Sequence, residues 1–314
     1  MSIIETLNEK FPIRKSRKQK DAFRTWFIAW AQEQSYTAEA TKPKGLFGSS
    51  NVVVGDPETA QVVFTGHFDT PAVMPVPNFI TPRNVLVYIL YQVVMLPVML
   101  APGILIGAGA GWLGSYVSEE VGFLCGYFTT MALMIVTFCL LMFGPANKHN
   151  VNDNTSGVAA VMELMTRLPA EQRSKAAFIL FDNEEKGLVG SAAYASAHKA
   201  VKKEKLLINM DCVGDGEHML FCANKRTRKL PEFPWLVEAM EGATGRNFLM
   251  NAMEKCVYPS DQSNYRYGIA VCACNKMKVL GYYCDKIHTK KDTVCEQANL
   301  DFLAEGLSAF VARL

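Results

Sequence analysis

The sequence predicts an α/β fold, a largely parallel sheet with helices on both faces, interrupted by a two-helix apolar insertion. Three observations carry this expectation. Short apolar strands alternate with helical segments through the second half of the chain. Histidines and carboxylates recur just past strand ends, where open α/β sheets place their ligands. Before them lie two uncharged runs, each long enough for the roughly 20 apolar residues that a membrane-crossing helix needs.

Composition narrows the functional classes. Half of the 314 residues are hydrophobic and 20% are charged, which is apolar for a water-soluble enzyme. A formal net charge of +2 offers nucleic acid no electrostatic footing, so no nucleic-acid partner is expected. Nine cysteines at no regular spacing read as thiols in a reducing compartment rather than a disulfide frame. Glu5, Glu9 and Lys10 interrupt the apolar core that a secretion signal requires.

Taken in order, residues 8–35 begin with a basic lead-in that includes Arg14, Lys15, Lys20 and Arg24. Phe23, Trp26, Phe27 and Trp30 then recur at helical spacing. This reads as an amphipathic helix on the domain surface, with a membrane-surface contact as the alternative. Val52–Val54 and Val62–Thr65, separated by Gly55-Asp56-Pro57-Glu58, read as a β-hairpin. A Pro-rich connector runs from Pro71 to Pro82.

Residues 84–118 and 121–147 contain no charged side chain, and only Glu119 and Glu120 divide them. Pro97, Pro102 and the glycines at 103, 107, 109 and 111 would break a helix in water but are tolerated in a bilayer. Buried core helices of this length would show a polar face, and these show none. The chain therefore divides into residues 1–83, an N-terminal helix and the first part of a globular domain, a transmembrane hairpin over 84–145, and the rest of that domain over 146–314. A hairpin returns to its starting side. Arg83, Lys148 and the basic N-terminal segment flank that side while the turn carries two glutamates, so the globular part is expected to face the cytoplasm from the cell membrane.

Beyond the hairpin the sequence predicts helices over 157–168, 188–200, 233–241 and 300–314. It predicts strands over 176–181, 206–210, 219–223 and 269–274. Five strand-end segments then align. His67 and Asp69 share one side of a strand end. Asp153 opens a helix, where an N-cap is the plainer role. Asp182-Asn183-Glu184-Glu185 closes strand 176–181, and adjacent carboxylates there repel unless a cation relieves them. Asp211 ends strand 206–210, and His288 lies near the C-terminus, ahead of Asp292. Together they make a histidine–carboxylate cluster of the kind that ligates zinc. His149 and His198 read as incidental, and the basic loop of Lys225, Arg226, Arg228 and Lys229 as solvated surface.

In their order, Gly-His67-Phe-Asp69, Asn-Asp153-Asn-Thr-Ser-Gly, Asn-Glu184-Glu185-Lys-Gly, Asn-Met-Asp211 and Ile-His288-Thr-x-x-Asp292-Thr resemble the co-catalytic di-zinc aminopeptidases. That group contains bacterial leucyl aminopeptidase, aminopeptidase Y and the glutamate carboxypeptidases. Pro259-Ser260-Asp261 resembles a further segment of the family, and the resemblance covers residues 45–75 and 148–314.

The resemblance implies a three-layer α/β/α sandwich with a mixed, mostly parallel sheet, two zinc ions and a peptide substrate. It implies that His67 and Asp211 bind one zinc, Glu185 and His288 the other, and that Asp153 bridges. Glu184 would be the general base, and Asp69 would orient His67. The implied activity is a membrane-anchored aminopeptidase, held in the lipid bilayer through residues 84–144. The rivals are a single-zinc glutaminyl cyclase and a catalytically silent scaffold with the same fold. Two features depart from the family pattern. The apolar hairpin separates His67 from Asp153, and Gln262 stands after Ser260-Asp261 where the family often has histidine or tyrosine, leaving Tyr265 and Tyr267 as candidate aids to carbonyl binding.

Overall fold

The computed structural model describes residues 1–44 and 47–314. Gly45 and Leu46, where the resembling stretch 45–75 begins, lie outside the described residues. In chain order the elements are α1 (Ile3–Lys10), α2 (Arg17–Glu33), β1 (Ala38–Ala40), β2 (Val52–Val54), β3 (Val62–His67), α3 (Val85–Ser115) and α4 (Glu119–Phe143). After the long helices come α5 (Gly157–Arg167), β4 (Ala176–Phe181), α6 (Val189–Ala197), α7 (Lys199–Glu204), β5 (Leu206–Met210) and β6 (His218–Ala223). The chain closes with α8 (Phe233–Gly242), β7 (Asn247–Ala252), β8 (Tyr267–Met277), β9 (Gly281–Tyr283) and α9 (Gln297–Arg313).

The strands form one mixed sheet in the order β1-β2-β4-β3-β5-β8-β6-β7, with β9 on β8. Its centre, β4-β3-β5-β8, is parallel throughout. Central strands are buried on both faces, so they read as continuous apolar runs rather than alternating ones. Val62, Phe64, Phe178, Leu180, Leu206 and Ile208 face the core shared with α1, α2, α5, α8 and α9. Val63, Ile179, Phe181 and Leu207 face Tyr194, Ala195 and Val201 on α6 and α7. The result is the expected α/β/α layering.

The expected hairpin of β2 and β3 does not form. β4 lies between them, antiparallel to β2 and parallel to β3. The wholly apolar Ala-Ala-Phe-Ile-Leu-Phe of β4 needs neighbours on both edges and layers on both faces, which an interior position supplies. The cysteine reading also changes for two of the nine, because Cys222 and Cys256 form a disulfide. The reducing-compartment argument for a cytoplasmic domain therefore no longer stands.

Three of the N-terminal basic residues, Arg14, Lys20 and Arg24, are buried in the domain rather than displayed on a surface stripe. Ser16 and Gln19 form a capping box that starts α2. That helix buries Lys20, Phe23, Arg24 and Phe27 against the sheet. Lys20 Nζ lies 2.5 Å from Asp182 Oδ1 and 2.8 Å from Asn183 Oδ1, and Arg24 Nη1 lies 3.3 Å from Asp182 Oδ2. Arg14 is fully buried; its Nη2 donates to Asn150 Oδ1 at 3.1 Å and to Thr155 Oγ1 at 2.9 Å, and its Nε donates to the Phe68 carbonyl. These cations tie the N-terminal segment to the loops that carry the candidate site.

α3 and α4 are long and apolar enough to cross a membrane, and almost no part of either is buried inside the protein. They pack on each other where glycines let the backbones meet. A Cβ on Gly122 would lie 2.9 Å from the Gly111 carbonyl oxygen, so only glycine fits there. The ends of the insertion are pinned together at the domain, since Val73 N donates to Pro145 O at 2.8 Å and Asn147 N to Pro71 O at 2.9 Å. The hairpin is thus looped out without parting the segments on either side.

Asp182 is the only carboxylate that pairs with Lys20 among the described residues, and Lys20 is buried. Replacing Asp182 with Ala strands that cation and removes one of the two carboxylate partners of Arg24. The expected cost is about 3–5 kcal/mol of stability, read by denaturant unfolding of the detergent-solubilised protein. A loss below about 1 kcal/mol would mean that the pair is effectively solvated.

Candidate metal centre

Registers in the central sheet align the carboxyl ends of β3 and β4, pairing His67 with Phe181. The segments that follow β3, β4 and β5 carry Asp69, Glu184–Glu185 and Asp211, and they all emerge at the same edge of the sheet. Asp153 comes from the turn that opens α5, and His288 from the loop after β9. This is the edge at which α/β sheets bind ligands.

Asp153 stands at the centre. Its Oδ1 lies 3.3 Å from His67 Nε2 and its Oδ2 lies 3.0 Å from His288 Nε2. His67 Nε2 is also 3.7 Å from Asp211 Oδ1, and His288 Nε2 is 3.4 Å from Glu185 Oε2. Each histidine is thereby grouped with a different second carboxylate, and Asp153 is common to both groups. Donor atoms of His67, Glu184 and Asp211 lie within 4.8 Å of one another, as do those of His67, Asp153 and Glu185. All five expected ligand positions and Glu184 line one pocket of about 90 Å³.

The electrostatics of the cluster call for a cation. Burial pushes the Glu184 and Glu185 carboxyls well above the usual range; neighbouring carboxylates push the same way, and His67 opposes them. Burial also opposes ionisation of Asp153, yet His288 and His67 hold its carboxyl well below the usual range. Glu185 Oε1 is buried with no hydrogen-bond partner, which is costly unless another group occupies that position. Imidazole nitrogens with carboxylate oxygens are a donor set that zinc accepts. The residues fit the metal.

The second layer is tightly specified. Asp69 accepts the backbone N–H groups of Glu184 at 3.0 Å and Glu185 at 3.3 Å, which fixes the turn that carries both glutamates. Its Oδ1 stands 3.6 Å from His67 Nδ1, beyond hydrogen-bond reach. Asp292 accepts from Asn152 N at 2.7 Å and Asp153 N at 3.0 Å, and so aims the central carboxylate. Cys212, Asn183 and His288 adopt left-handed backbone with φ of 57°, 57° and 63°. Such conformations cluster at functional sites, where the surrounding structure over-determines them.

Two of the candidate aids to carbonyl binding stand outside the pocket lining. Gln262 is buried away from the pocket; its Nε2 donates to the Tyr258 carbonyl at 2.8 Å and its Oε1 accepts from Asn209. The Tyr265 hydroxyl donates to the Ser191 carbonyl at 3.3 Å and its ring packs among Phe181 and Tyr194, outside the pocket lining. The pocket wall is instead Tyr258, Cys212, Ile287, Asn78 and Ile80. Tyr258 donates to the Asp211 carbonyl at 3.0 Å. It sits two residues before Ser260-Asp261, close enough in sequence to have been considered. Asn78 and Ile80 had no such signal, because they belong to the Pro-rich connector. That connector reaches the site by backbone hydrogen bonds, with Met74 N donating to His288 O at 2.8 Å and Ile80 N to Cys284 O at 3.0 Å. His198 pairs with Glu58 at 3.0 Å on the surface, away from the cluster.

Residues 141–310 match the model of peptidase family M28. A Zn-dependent exopeptidase from Parabacteroides distasonis superposes with a TM-score of 0.60 at 12% identity, covering 98% of this chain and 95% of that one. A leucine aminopeptidase precursor from Bacteroides thetaiotaomicron also gives 0.60 at 12% identity, over 99% and 95%. A glutaminyl cyclase from Porphyromonas gingivalis gives 0.59 at 14% identity, over 99% and 96%. At these identities the likeness is one of fold. No curated protein matches the chain in sequence.

Replacing Asp292 with Ala leaves the N–H groups of Asn152 and Asp153 without their acceptor. Zinc affinity is expected to fall about 10–100-fold in calorimetric titration, with far-ultraviolet circular dichroism unchanged. An unaltered affinity would show that the turn holds Asp153 without Asp292.

Proposed function

We propose, from the premise that this chain belongs to peptidase family M28, that it is a membrane-anchored, two-zinc exopeptidase that removes N-terminal residues from peptides. The observation that carries the reading is Asp153, whose two oxygens face two different histidines at 3.3 and 3.0 Å. A carboxylate so placed is arranged to be shared. His67 and Asp211 would hold one zinc, Glu185 and His288 the other, with Asp153 between them. When bound, the two cations polarise the scissile carbonyl and bring the pKa of a water in the site toward neutrality.

The chain's own residues do the rest. Glu184 is held by the Asp69 bond to its backbone, with its side chain beside His67 and Asp211. Its carboxylate oxygen takes the proton of the attacking water and returns it to the departing amine. Burial makes it a stronger base than an exposed glutamate. A free substrate amine is drawn to this carboxylate-rich pocket, which favours cleavage at the N-terminus. Ile80, Ile287 and Tyr258 present an apolar wall to the adjoining side chain.

Anchoring rests on α3 and α4, whose length and composition suit a bilayer. Arg83 and Lys148 at the base of the hairpin, against Glu119 and Glu120 at its tip, favour a domain facing the cytoplasm. Orientation is read by protease protection in sealed vesicles, where cleavage of the domain from the extracytoplasmic side would reverse it.

Elemental analysis of the purified chain is expected to find two zinc ions; a chelator is expected to abolish hydrolysis of free dipeptides, while N-blocked dipeptides should be inert with or without it. One zinc per chain, with cyclisation of N-terminal glutamine, would overturn the reading. Glu184→Gln is expected to keep both metals and lose about 10²–10⁴ in kcat. A drop in zinc content in that variant would make Glu184 a ligand rather than the base.

A further inference from the structure

A second cavity, of about 200 Å³, is lined by the start of α2, by Pro43, Phe47, Gly48 and Ser50 ahead of β2, and by Lys186; Lys15 and Lys186 reach from it to the last turn of α4. Five cations line it, Lys15, Arg17, Lys20, Arg24 and Lys186, against two carboxylates, Asp21 and Asp182. The carboxylates are already engaged. Asp182 pairs with Lys20 and Arg24, and Asp21 pairs with Arg24 and lies 3.8 Å from Arg17. Lys15 and Lys186 have no carboxylate partner among the described residues. Lys15 Nζ donates to the Met142 carbonyl at 3.3 Å. Lys186 Nζ stands over the rings of Phe47 at 5.1 Å and Phe143 at 6.0 Å.

Position adds to charge. Met142 and Phe143 end α4, which carries no charge after Glu120, so the two lysines sit at the level where an apolar helix gives way to polar chain. In a bilayer that level is the headgroup region. α2 begins at Arg17, one of the lining residues, so the positive end of its dipole lies at the same cavity. Basic pockets beside membrane helices recognise anionic headgroups, and lysine serves as a point charge for phosphate.

We propose that this cavity binds the phosphate headgroup of an anionic phospholipid at the base of the apolar hairpin. The proposal rests on the membrane-anchored reading. It adds a lipid-dependent constraint near the metal pocket, because Lys186 follows Glu185 directly in the chain. A bound headgroup would hold that turn from the bilayer side.

The full-length protein is first mixed with phosphatidylcholine vesicles and floated. Failure to float overturns the anchored reading and this one together. With flotation established, native mass spectrometry of the detergent-solubilised chain titrates phosphatidylglycerol and phosphatidylcholine separately. Lys15→Gln/Lys186→Gln is expected to weaken phosphatidylglycerol binding roughly 30-fold and to leave phosphatidylcholine binding unchanged. Lys15→Arg/Lys186→Arg, which keeps both charges, should bind like the wild type, as should Lys225→Gln/Lys229→Gln on the distant basic loop. Equal phosphatidylglycerol binding by the wild type and the double glutamine variant overturns the proposal. So does an equal loss in the Lys225→Gln/Lys229→Gln control. Full displacement of the lipid by glycerol 1-phosphate would overturn the lipid assignment in favour of a soluble phosphate ester.

Discussion

Two imidazoles and four carboxylates crowd into one buried pocket, and like charges at that spacing repel unless something compensates them. Asp153 is where the conflict concentrates, because it is the group that both histidines approach. Much of the surrounding architecture reads as the means of holding that arrangement. Parallel strands deliver His67, Glu184, Glu185 and Asp211 to one edge of the sheet. Asp69 clamps the glutamate turn, and Asp292 clamps the turn that carries Asp153. Neither clamp touches the pocket centre through its own side chain, and both act on backbone N–H groups, which cannot rotate away.

The cations of the N-terminal segment belong to the same economy of charge. Arg14 is buried between Phe68, Asn150 and Thr155, on the two chain segments that the apolar insertion separates in sequence. Lys20 and Arg24 neutralise Asp182 beside the glutamate turn. A basic stripe at the start of a chain is easily read as a surface for lipid. Here its inner half serves the fold, and its outer half, Lys15 and Arg17, lines the cavity at the foot of α4.

The insertion is mechanically simple for its length. Its two ends are bonded to each other at the domain, so the loops of the candidate site lose no geometry to it. The connector that leads into α3, ahead of the insertion itself, lays Asn78 and Ile80 along the pocket wall. The first turns of α3 are tied to that connector by the Tyr91 hydroxyl, which donates to the Pro77 carbonyl at 2.6 Å. The apolar helices and the pocket wall are consequently one continuous piece of structure.

The layering, the buried strands, the apolar hairpin and the strand-end histidines and carboxylates were legible in the sequence, because each is signalled by residues adjacent in the chain. A run such as Ala176–Phe181 announces a two-sided strand by composition alone, and His67 and Asp69 share a face by the two-residue period. Partners distant in the chain were not legible. Nothing local places β4 between β2 and β3, pairs Cys222 with Cys256, sends Gln262 toward Tyr258, or brings Ile80 to the pocket. Those outcomes depend on which surfaces meet once the sheet is assembled. The sequence by itself determined which groups can do chemistry, since residue type sets donor atoms and charge. Only the tertiary structure decided which of them meet, because packing and backbone hydrogen bonds between remote segments set those distances.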